Sequence, residues 1–64
     1  MLNETEILFL KLSCCEMTYK EIAQEMKLTP RGVDNIRDNL FIKLEVKSRV
    51  GLAMYAIRHG LVNI

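Results

Sequence analysis

Sixty-four residues, half of them apolar and only four aromatic, make one small domain near the lower limit at which a single core holds unaided. No apolar run approaches membrane-spanning length, the start lacks the flanks of a signal peptide, and no β-branched run alternates over strand length. The net charge of +1 hides an asymmetry: residues 1–26 carry Glu4, Glu6, Glu16, Glu21 and Glu25 against Lys11 and Lys20, whereas residues 27–49 carry six Lys and Arg against Asp34, Asp38 and Glu45. A polyanion would meet a one-sided field, though a modest one.

A first helix is expected over about Glu4–Cys15, capped by Asn3 with Glu6 at the capping-box position. Leu2, Phe9, Leu10 and Leu12 supply its buried face, and Ile7 and Leu8 widen the stripe toward a second surface. Cys14 and Cys15 are adjacent, which is neither zinc spacing nor a disulfide framework. They read as buried or half-buried thiols of a reduced, cytoplasmic protein.

Thr18 followed by Glu21 is a second capping box, and Thr29 followed by Pro30 is an N-cap with proline at the first helical position. Helix starts so close together leave a short second helix, about Tyr19–Met26, a very tight turn, and a long third helix from Pro30 to about Leu44. Small Ala23 lets the third helix cross close above the second, with Ile22, Met26 and Leu28 between them and Val33 and Ile36 closing the cluster. This is the pattern of a helix-turn-helix over about residues 19–38, a unit that offers one helix to a DNA major groove. Val33, Ile36, Leu40 and Leu44 mark the inward side of the third helix. Arg31, Asp34, Asn35 and Asp38 lie opposite with Arg37 at the edge, and Phe41 and Ile42 broaden the apolar surface further on.

A fourth helix is expected from Ser48 to about His59, with Gly60 as the left-handed residue after it and Leu61 as the capping hydrophobe. His59, the only histidine, complements the helix C-terminus. Val50, Ala53, Ile57, Leu61 and Val62 are expected to face inward. Leu52, Met54, Tyr55 and Ala56 then form an apolar surplus suited to a dimer face. The whole is expected to be an all-α, compact four-helix domain over 1–64.

Catalysis has nothing to stand on. There is no Ser–His–acid set, glycine-rich phosphate loop or metal-spaced cluster, and no cofactor, metal or small-molecule ligand is expected. Asp34 and Asp38 share a helix face, but Arg31 and Arg37 beside them make ion pairing the simpler account.

Three blocks in register carry a resemblance. The opening LNETE, the central YKEIAQEMKLTPRGV and the closing KLEVKSRVGLAMYAIRHGLV together are similar to the DNA-binding domain of the LuxR family, the module at the C-terminus of many bacterial response regulators and quorum-sensing regulators. The resemblance covers nearly the whole chain. It implies a four-helix fold whose third helix, about 30–44, reads DNA and whose fourth helix forms a dimer face. Transferred residue by residue, it makes Lys20 a phosphate contact and Asn35, Asp38 and Asp34 base-edge candidates. Arg31 and Arg37 could reach either base or phosphate, and Lys43, Lys47 and Arg49 are backbone-directed or structural. The chain departs from the family at Glu16, Gly32, Ile36 and Gly51, and above all in the acidic Asp34 and Asp38, which can accept from cytosine but repel phosphate. The implied function is sequence-specific binding of double-stranded DNA as a homodimer, by a domain excised from a longer transcriptional regulator of a two-component system. The alternative is a protein-interaction module of the same fold that has lost DNA.

Overall fold

Polar side chains three residues upstream of free backbone N–H groups start every helix. In the computed structural model, which describes residues 1–62, these starts give α1 (Glu4–Ser13), α2 (Tyr19–Met26), α3 (Pro30–Lys43) and α4 (Arg49–Arg58), with no strand among the described residues. Asn3 accepts from Glu6 N–H at 2.8 Å while Glu6 Oε1 accepts from Asn3 N–H at 3.0 Å. Thr18 and Glu21 repeat the exchange at 3.1 and 2.8 Å. Thr29 accepts from Gly32 N–H at 3.0 Å with Pro30 at the first position, and Ser48 accepts from Gly51 N–H at 3.1 Å. The expected α1 is two residues too long, because Cys14 already caps it.

Three helices end alike. Lys27 (φ 58°), Glu45 (φ 57°) and Gly60 (φ 70°) take the left-handed conformation, and the next residue's N–H returns to a carbonyl one turn back. These bonds run from Leu28 to Ala23 (2.8 Å), Val46 to Phe41 (3.0 Å) and Leu61 to Ala56 (2.8 Å). Only Gly60 is free of the steric cost of that conformation. At Lys27 and Glu45 the satisfied carbonyls outweigh it, and the reversal after Lys27 is what makes the turn before α3 so short.

The core is Phe9, Leu10, Ile22, Ala23, Val33, Leu40, Leu52 and Ala56. The first six follow the expected faces. Helix α4 departs in phase at four positions, while Met54 stays exposed and Leu61 and Val62 pack against the core as expected. Leu52 and Ala56 are fully buried, whereas Val50 (71 % exposed), Met54 (52 %) and Ile57 (41 %) face out. The dimer role expected for Leu52 and Ala56 is therefore corrected: both belong to the monomer core, and Tyr55 is half-buried beside them. Apolar residues occupy both sides of this helix, so periodicity alone left its phase open. Leu28, expected between α2 and α3, is also exposed, as is Cys15.

Gly51 explains itself by close approach: a Cβ there would sit 2.9 Å from Cβ of Val46, so the link before α4 folds flat against the helix start. A part-buried ion pair ties α3 back to α1. Lys43 Nζ donates to both oxygens of Glu6 at 3.1 and 2.8 Å, joining the end of α3 to the start of α1. The Lys43 hydrogen bond, followed by that from Asn3 N–H, holds the Glu6 carboxyl below its ordinary range. The stability this contributes is complete above the ordinary carboxylate pKa of about 4.3 and drains as pH falls through the lowered value. Glu6→Gln should cost about 1 kcal/mol at neutral pH. The gap between its thermal melt and the parent's should close on acidification below about pH 4. A gap that stayed constant with pH would locate the effect in the fit of the amide rather than in the charge, because glutamine can still accept from Asn3 N–H.

Candidate nucleic-acid interface

The outward side of α3 is built by spacing. Arg31, Asn35, Asp38 and Ile42 recur at four, three and four residues, opposite buried Val33 and Leu40, and all four are exposed. Asp34 stands at the edge of this stripe. Lys20 is exposed on the first turn of α2, Lys27 in the turn, and Lys47 in the link before α4. Among the described residues, Lys20, Lys27, Arg31 and Lys47 form no ion pair.

The other cations expected at the site are already engaged. Arg37 Nε and an Nη meet Asp38 Oδ1, each at 3.0 Å, and the other Nη meets Asp34 Oδ1 at 3.3 Å. The Asp38 hydrogen bond raises the Arg37 pKa further above its already high ordinary value. Lys43 is held by Glu6. Arg49 donates to the carbonyls of Ser13 (3.0 Å) and Cys15 (2.8 Å), closing the C-terminus of α1. Of the nine candidates, Arg31, Asn35 and Asp38 share the outward stripe of α3 with Asp34 at its edge, and Lys20 and Lys47 are exposed on α2 and in the link. Lys43 and Arg49 serve the scaffold.

Sequence reasoning passed over Tyr19. Its ring stacks on Phe9 with centroids 6.1 Å apart, and the guanidinium carbons of Arg37 and Arg49 lie 5.3 and 5.1 Å from its centroid. One aromatic thus joins α1, α2, α3 and the start of α4. Its place directly after the Thr18 cap was the available signal, since a tyrosine in the first turn can present both an apolar body and a cation-binding face. Lys27, Val50 and Ile57 were also passed over as surface groups.

A short capped helix, a left-handed turn residue and a longer helix with a polar outward stripe define a helix-turn-helix nucleic-acid-binding domain. Residues 1–56 match the family model described as bacterial regulatory proteins, luxR family, and the chain belongs to that family. Curated relatives agree. Response regulator UvrY of Escherichia coli K12 is 34 % identical over 62 residues, which are 97 % of this chain and 28 % of the relative. Response regulator GacA of Pseudomonas syringae pv. syringae B728a is 36 % identical over 64 residues, 98 % of this chain and 29 % of the relative. GacA of Pseudomonas aeruginosa PAO1 is 36 % identical over 63 residues, with 97 % and 29 % covered. The chain therefore spans less than a third of the length of these relatives. No solved structure matches it. A domain of this family is a DNA-binding regulatory domain and not an enzyme. No helix among the described residues is long and apolar enough to cross a membrane.

Proposed function

We propose that this domain binds duplex DNA as a homodimer, with the N-terminal half of α3 in the major groove. The observation that carries the reading is the stripe of Arg31, Asn35 and Asp38 along the outward side of a helix presented by α2 and a tight turn. Asn35 suits a bidentate pair with adenine, and Asp38, with Asp34 at its edge, suits a base amino group. Lys20, Lys27 and Lys47 are phosphate contacts, and Arg31 reaches base or phosphate. Two copies meet through the Val50–Met54–Ile57 stripe of α4, which keeps Met54 from the expected dimer face and places α3 helices about 34 Å apart in successive grooves. The domain serves a longer cytoplasmic response regulator, whose receiver supplies the switch.

Salt dependence tests the reading. Four free cations per protomer set a ceiling of about −7 on the slope of log affinity against log salt for a dimer. Lys20→Ala should weaken all sequences alike and reduce the slope by about one unit per protomer. Asn35→Ala should leave the slope unchanged and remove about 1–3 kcal/mol of discrimination at one base pair. The small number of free cations and the acidic pair favour one rival, an interaction module that has lost DNA. Retention on random duplex that is absent, or indifferent to salt, decides for it.

A further inference from the structure

Asp34 and Asp38 stand at 52 % and 61 % side-chain exposure on the helix side proposed to face DNA, where bare carboxylates would be repelled by phosphate. Arg37 between them is only 27 % exposed and lies against the Tyr19 ring, which in turn stacks on core residue Phe9. A continuous line of contacts therefore runs from the core through Tyr19 and Arg37 to Asp38. Arg37 takes Asp38 by one oxygen alone. Both of its nitrogens there meet Oδ1, and among the described residues Oδ2 accepts no hydrogen bond.

We propose that Arg37 is a positioning residue that converts Asp38 into a fixed, partly neutralised acceptor for the amino group of a base, with cytosine preferred. The proposal rests on the placement of α3 in the major groove argued above. Arg37 lowers the charge of the acidic pair from −2 to −1, which reduces repulsion without adding a phosphate contact. It also fixes the Asp38 rotamer, so that Oδ2 is presented in one place. In the major groove, cytosine offers its N4 amino group beside a C–H, whereas the adenine amino group lies beside the N7 acceptor, which repels a carboxylate. Guanine and thymine present acceptors there and are refused. An unpaired arginine on such a helix would select guanine through O6 and N7. With its donors turned to Asp34 and Asp38, Arg37 does not read bases itself.

The test uses a random-sequence duplex library bound to the full chain, with the bound fraction sequenced, followed by titrations on single-base variants of the selected site. The parent should select cytosine at one position per half-site and lose about tenfold on replacement of that base pair. Asp38→Asn should abolish this preference. Arg37→Lys keeps the charge but cannot hold both carboxylates, so it should flatten the preference severalfold while leaving the salt slope and the melt near the parent's. Arg37→Met should weaken every sequence, and in an Asp38→Asn background it should change selectivity no further. Selectivity preserved in Arg37→Lys, or guanine selected by the parent and lost in Arg37→Met, overturns the positioning role. Should Asn35→Ala and Arg31→Ala also leave selection untouched, α3 is not in the groove and the proposal falls with that reading.

Discussion

Leu52→Glu should leave the domain unfolded at room temperature. Leu52 is fully buried on α4 between the helices of the core. Removing a buried leucine side chain costs about 2–5 kcal/mol, and a carboxylate placed there without a partner adds several more. A chain of this length has a total stability of roughly 3–10 kcal/mol, so the substitution removes most or all of it. Met54→Glu lies two residues away on the outward side, where a carboxylate stays in water. It should melt within about 0.5 kcal/mol of the parent. On the dimer proposal, it should still weaken binding to a two-half-site duplex while leaving a single half-site unaffected. Far-UV circular dichroism on heating reads the first difference, and titration of the two duplexes reads the second. A cooperative melt for Leu52→Glu close to the parent's would mean that α4 is turned the other way, with the originally expected face outward.

That contrast marks where sequence and structure part. What depends on neighbours within one turn was legible: all four N-caps, the tight α2–α3 junction, and the buried sides of the first three helices each follow from spacing and residue chemistry. Helix α4 was not legible, because Val50, Met54 and Ile57 make as good an apolar stripe as Leu52, Tyr55 and Ala56. Only contact with α1 selects between them. The left-handed residues Lys27 and Glu45 carry no glycine to announce them. Long-range polar bonds were hidden for a related reason. Lys43 and Glu6 are 37 residues apart, and nothing in a list of cations says which are already engaged. At the candidate site, the residue types on α3 were visible as candidates, whereas the engagement of Arg37 and Arg49 through Tyr19 needs three elements to be placed together.

Arg49→Met supplies the sharpest case of a basic residue that belongs to the scaffold. The guanidinium of Arg49 closes two carbonyls at the end of α1, at 3.0 and 2.8 Å, and rests on Tyr19. Helix C-terminal carbonyls lack intrahelical partners, and these two sit where α1 hands the chain to α2, so the bonds fix α4 against that corner. Two charge-assisted hydrogen bonds and a cation–π contact together should be worth about 2–3 kcal/mol here, since the Ser13 carbonyl belongs to a buried residue while Cys15 is exposed. For a domain of this size, that lowers the melting temperature by roughly 10–20 °C. Arg49→Lys keeps the charge but cannot span both carbonyls, and should recover less than half of the loss. Below the melt of each variant, the salt slope for duplex DNA should equal the parent's, because Arg49 is already turned inward. The opposite pattern assigns Arg49 to phosphate: a melt barely changed, a slope reduced by about one unit per protomer in Arg49→Met, and full restoration by Arg49→Lys.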